Sequence, residues 1–177
     1  MKFKSFIFSL IIFSSFVQAS PSAPSDSFYA IRPADIDCVI LAAKKQNIPA
    51  NILLAISSVE MGKNGQFVSN SNGSIDLGHF QINTINWDRK SGLFAGVLDI
   101  SPEDVAMRGC YNAELAAWLI KKRINENTGQ DFWTRVANYH SKTEKFNVIY
   151  KNKLIPFVIS WGQWLSRNNK DIAVSYK

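Results

Sequence analysis

The chain has 177 residues, 46% hydrophobic and 19% charged, which fits one folded domain and excludes a disordered composition. A formal charge of +6 favours adherence to acidic polymers of any kind, so it does not choose between cell wall, membrane and nucleic acid. The two histidines and two cysteines form no H-x-x-x-H or Cys/His spacing, so neither a metal site nor a cofactor is expected.

In chain order, Lys2 and Lys4 precede an apolar run from Phe6 to Val17, and Val17-Gln18-Ala19 offers small residues at a cleavage spacing. Residues 1–19 therefore read as a secretory signal peptide, with a periplasmic or secreted product beginning at Ser20. The run falls short of the roughly 20 residues that cross a bilayer, so no stable membrane anchor is expected after processing. Lys2 and Lys4 leave with the peptide and no acid does, which takes the formal charge from +6 to +4. Residues 20–33, rich in Ser, Pro and Ala, read as a flexible leader. The folded domain is expected over 34–167, with a polar tail over 168–177.

Within that domain the periodicity is helical. Ile36, Val39, Ile40 and Ala43 form one stripe, and Asn47-Ile48-Pro49 ends that helix before a second starts near Ala50. The Asn-, Ser- and Gly-rich stretch from Gly62 to Gly78 predicts a loop. Ser101-Pro102-Glu103-Asp104 is a helix start, with Ser as cap and Pro at the first position. Ala113, Ala116, Ala117, Ile120 and Ile124 form a further stripe, and Phe132, Val136 and Tyr139 another. A last helical region from about Glu144 to Leu165 contains Pro156, which predicts a kink or a split. Lys121-Lys122-Arg123 and the lysines between Lys142 and Lys153 read as solvated helix faces, without the aromatic interleaving of a nucleic-acid module. The expected class is mainly α, a compact helical domain with a long loop or small β element after Glu60.

In an oxidising compartment the even pair Cys38 and Cys110 suggests a disulfide, the alternative being two buried thiols. Closing so long a loop stabilises a fold by roughly 4 kcal/mol in the chain-entropy model. Glu60 continues the Leu53–Ile56 stripe at the C-terminal end of its helix. Loss of solvation and the negative end of the helix dipole both disfavour its charged form, as a general acid working near neutrality requires.

Three ordered motifs surround this acid: Ser57-Ser58-Val59-Glu60, then Gly78-His79-Phe80-Gln81 leading into Asn83, then Asn138-Tyr139-His140. In this order, over about residues 35–150, the chain resembles the soluble, goose-lysozyme-like lytic transglycosylases. The small members associated with secretion and conjugation systems are the most similar, and they too carry cysteines at the places of Cys38 and Cys110. The resemblance implies a lysozyme-like domain that cleaves peptidoglycan strands, with Glu60 as the catalytic acid/base. It implies substrate-binding roles for Gln81 and Tyr139, which would hold sugar acetamido or hydroxyl groups and keep Glu60 oriented. Gly78 and Phe80 as an apolar wall join them around the groove, and Asn83 reads either as a residue supporting that groove or as a turn residue. It also implies partners in a secretion or conjugation machine. The family pattern usually has Ser where Met61 stands, an apolar residue where His79 stands and Asn where His140 stands.

Asp76 would be the second carboxylate of an ordinary glycosidase; a loop-fixing role through backbone amides is the alternative. His140 reads as a groove-wall or surface residue, and Trp87 and Trp133 as packing residues. The expected product carries 1,6-anhydromuramic acid ends. A hydrolytic muramidase and a weakly active peptidoglycan-binding assembly protein are the alternatives, the latter resting on Met61, His79 and His140. A basic exported nucleic-acid binder is supported by charge alone.

Overall fold

Helices α1, α3 and α5, at Ile36–Gln46, Pro102–Met107 and Phe132–Ala137, each start at a residue whose side chain caps the first turn. A computed structural model describes residues 33–87, 94, 100–168 and 170; the expected signal peptide, most of the leader and most of the polar tail lie outside these residues. Helix α1 (Ile36–Gln46) is capped by Asp35, whose carboxylate accepts from the Cys38 amide at 2.7 Å. Lys44 and Lys45 complement its negative end, and Asn47 closes it in the left-handed conformation. Helix α2 (Ala50–Glu60) then runs through the centre. Its residues from Ala50 to Ile56 are all buried, so it behaves as a core helix packed on every side, not a one-striped surface helix. Neighbouring α1, α4 and α6 enclose it.

The stretch after α2, expected as a long loop or small β element, contains a small antiparallel sheet. Strands β1 (Phe67–Ser69), β2 (Ile75–Leu77) and β3 (Ile82–Asn83) lie in that order, with Val68 opposite Asp76 and Asp76 opposite Asn83. The hairpin between β1 and β2 turns at Gly73, whose φ of 80° suits glycine. Such short strands leave too few alternating positions to show as a period in the sequence. A 3-10 turn (Thr84–Trp87) follows. Ser101 then caps α3 (Pro102–Met107), with Pro102 in the first turn. Helix α4 (Gly109–Asn125) buries Ala113, Ala116, Ala117 and Ile120. Cys110 at its start is joined to Cys38 in a disulfide, with Cα atoms 5.5 Å apart.

Helices α5 (Phe132–Ala137) and α6 (Glu144–Arg167) complete the fold. Pro156 does not split α6, which runs on through it. Pro156 and Asn152, the residue whose carbonyl loses its partner, are both exposed, so water can satisfy that carbonyl. The architecture is mainly α, with six α-helices and one three-stranded sheet among the described residues. No helix among them is long and apolar enough to cross a membrane.

Candidate active site

Glu60 is the last residue of α2, and Met61 beyond it caps the helix with φ 51°. The helix leaves the core just here, so the carboxyl is largely shielded yet reaches a groove of about 820 Å³. It accepts a hydrogen bond from the Tyr150 hydroxyl at 2.7 Å. Burial raises its pKa from 4.5 to about 7; the Tyr150 bond opposes the rise and the negative charge of Asp76 adds to it. A carboxyl divided between acid and base near neutral pH is suited to give a proton and take one back.

Across the groove stands the sheet. Asp76 on β2 faces the same space and accepts from the amides of Asn83 at 2.7 Å and Asn70 at 3.0 Å. Its partners are thus side-chain amides, not the backbone amides expected, because β2 is a paired strand whose backbone is engaged with β1 and β3. Asn83 both lines the groove and fixes a turn, its Oδ1 accepting from Ile85 N at 2.8 Å. Gln81, at φ 50°, lines the groove and donates from Nε2 to the Gly78 carbonyl at 2.7 Å. The ring of Tyr139 lines it too, but the hydroxyl is already donated to the Phe80 carbonyl at 2.8 Å. Burial first, then the charges of Glu60 and Asp76, hold that hydroxyl well above its ordinary pKa. Neither Gln81 nor Tyr139 hydrogen-bonds Glu60; Tyr150 does.

Two residues of the Gly78–Gln81 motif lie behind the groove. Phe80, expected as a wall, is fully buried in the core, and Gly78 is buried with φ 67°. A Cβ at Gly78 would come within 2.8 Å of the Asn112 amide, so the glycine serves close packing. That amide is a pin. Asn112 accepts from Phe80 N at 2.8 Å and donates to the Leu77 and Val105 carbonyls, both at 3.0 Å, which ties sheet to helices. His79 bridges the Ser57 hydroxyl, 2.6 Å away, and the Gly62 carbonyl, 3.0 Å away, and so steadies the end of α2 from behind. With the proton on Nδ1, the ring donates to Gly62 and accepts from Ser57.

His140 lines the groove and stacks on Tyr150 with ring centroids 4.8 Å apart. Burial and Lys153 lower its pKa, against the opposing charge of Asp76. Trp87 packs on Phe94 and donates to the Ile100 carbonyl, and Trp133 packs on Phe132, so both serve packing. Lys142, expected as solvated, is exposed and also pairs with Glu126 at 2.8 Å. Sequence reasoning missed Tyr150, Asn112 and Asn147. Tyr150 and Asn147 sit on the buried stripe of α6 with Leu154 and Val158, so polar residues at inward positions were the available signal. Asn147 donates to Asn138 at 2.8 Å and the Thr134 carbonyl at 2.9 Å, holding the turn that presents Tyr139 and His140.

A second concavity of about 550 Å³, lined by Gln46, Trp118, Lys121 and Glu126 among others, has a different character. Burial would raise the Glu126 pKa, but its bonds to Lys142 and Arg123 outweigh this and hold it low. The metal-type grouping of Asp35, Cys38 and Cys110 has its two sulfurs joined to each other. Compared with known proteins, the chain matches no family model, no curated protein and no solved structure. The site is thus defined by its chemistry: one carboxyl tuned near neutrality, one ionisable carboxyl opposite, and a lining rich in side-chain amides. Such a lining offers neutral donors and acceptors in pairs, which suits hydroxyl and acetamido groups.

Proposed function

We propose that the chain is an exported peptidoglycan lytic transglycosylase, which opens the wall for an envelope-spanning secretion or conjugation system. The observation that carries this reading is Glu60, with its pKa at about 7, standing in an amide-lined groove. Protonated Glu60 gives its proton to the glycosidic oxygen between MurNAc and GlcNAc as the C1–O bond breaks. The resulting carboxylate then takes the proton of the muramic acid C6 hydroxyl while O6 bonds to C1. The 1,6-anhydro ring closes, Glu60 is again protonated, and no water is consumed. Tethering gives O6 an effective concentration on the order of 10⁵ M or more when aligned. Asp76, fixed by Asn70 and Asn83, adds negative charge opposite the developing oxocarbenium centre.

The Asp76 carboxylate in the same groove also favours a second reading, a two-carboxylate muramidase in which Asp76 activates water. Mass analysis of digested peptidoglycan separates the two, since anhydro ends are lighter by one water than reducing ends. Glu60→Gln should lower cleavage by at least about 10²-fold while the chain stays folded. A folded variant with unchanged activity would exclude Glu60 as the catalyst.

A further inference from the structure

Helix α6 is apolar on more than its core-facing side. Leu154, Val158 and Leu165 are buried on the inward stripe, yet Phe146, Val148, Ile149, Phe157 and Ile159 point outward and are 42–51% exposed. These five are half of the ten large hydrophobic side chains exposed among the described residues, so the exposure is concentrated on one element. A helix that is apolar all round is ordinarily covered on every side.

The outward residues are ordered. Phe146 and Phe157 lie about three turns apart on one shoulder, Val148 and Ile159 about three turns apart on the other, and Ile149 and Pro156 between the two rows. They form a convex ridge roughly 16 Å long, not a groove that would seat a peptide. Its charge has one sign. Glu144 opens the helix, but from Lys145 to Lys170 the chain has five cations, Lys145, Lys151, Lys153, Arg167 and Lys170, and no acid. Residues 20–144 carry 13 acids and 12 cations, so the excess positive charge of the chain beyond its first 19 residues lies here. Lys145 and Lys153 are exposed among the apolar side chains. A second copy laid on the ridge would set lysine against lysine with no acid to pair them. An anionic lipid surface suits all three properties: its headgroups meet the cations, its acyl boundary takes the apolar side chains, and a plane needs no matching pocket. No described helix is long and apolar enough to cross a bilayer, so α6 would lie in the interface without spanning it.

We propose that the outward face of α6 docks on a lipid surface of anionic headgroups, with Phe146, Ile149, Phe157 and Ile159 sunk at the acyl boundary and Lys145 and Lys153 among the phosphates. A handful of side chains gives a reversible, salt-sensitive attachment. Phe146 also lines the groove, so docking brings the mouth of the groove to the same surface. The inference stands apart from the glycan-cleaving reading, since it requires no reaction.

The test is flotation at low salt with phosphatidylcholine vesicles, with and without phosphatidylglycerol. The chain beginning at Ser20 is used, so that the apolar run from Phe6 to Val17 takes no part. Binding to the anionic vesicles should be stronger by about fivefold or more, the scale of one lysine at such a surface. The double variant Phe157→Ser/Ile159→Ser should lose about fivefold or more of that binding. Ser160→Glu, at an exposed position on the same face, should weaken it as well, and unchanged circular dichroism checks that both variants fold. Lys121→Gln/Lys122→Gln on α4 and Leu41→Ser on α1 remove charge and apolar surface elsewhere, and should change binding by less than about twofold. No preference for phosphatidylglycerol, equal loss from the α4 pair, or binding retained in both α6 variants would overturn the docking face. So would absent vesicle binding; a dimer in sedimentation that Phe157→Ser/Ile159→Ser dissolves would then assign the face to a second copy.

Discussion

Replacing Glu60 by Gln also measures what the fold pays to hold this carboxyl. A rise in pKa from 4.5 to about 7 corresponds to about 3 kcal/mol, at about 1.4 kcal/mol per pH unit. The folded chain binds the proton more tightly than the unfolded one. The stabilising contribution is therefore complete below about pH 4.5, is lost as pH rises, and is gone above about pH 7. Gln cannot ionise, yet its carbonyl can still accept from Tyr150. In urea denaturation, parent and variant should agree within about 1 kcal/mol near pH 4, and the variant should be ahead by about 3 kcal/mol near pH 8. Other titrating groups are common to both chains and cancel in the difference. Parallel stability curves, or a variant less stable near pH 8, would refute the burial argument for Glu60.

Tyr150→Phe removes the bond that lowers the Glu60 pKa, so the alkaline limb of kcat/KM should move above its parental position near pH 7. An unmoved limb in a folded variant would show that Tyr150 does not tune the acid. Asp76→Asn removes a charge that raises the same pKa, so the limb should move down while the products keep anhydro ends. Reducing ends from the parent, with activity lost in the Asp76 variant, would instead identify the hydrolase. Asn112→Ala leaves the Phe80 amide and the Leu77 and Val105 carbonyls without their partner, which should destabilise the fold by about 3 kcal/mol or more. A denaturation midpoint equal to the parent's would refute the role of Asn112 as a pin.

The helices were legible in the sequence because their signals are local. Ser101 is a cap, Asn47-Ile48-Pro49 is a stop, and the alanine stripe of α4 repeats at helical spacing. Glu60 was legible for the same reason: an acid at the end of an apolar run is a violation visible within one turn. The small β element after Glu60 was expected only as an alternative to a loop, and its strands and register were not legible, since they draw their meaning from pairing with each other, not from a period of their own. Nor could spacing show that Phe80 lies in the core while Gln81 beside it reaches the groove; the left-handed turn at Gln81 decides that. Tyr150 meets Glu60 across 90 residues of chain. Contacts of that kind exist only once α6 has packed along α2, because burial and charge act through distance in space and a sequence records only distance along the chain.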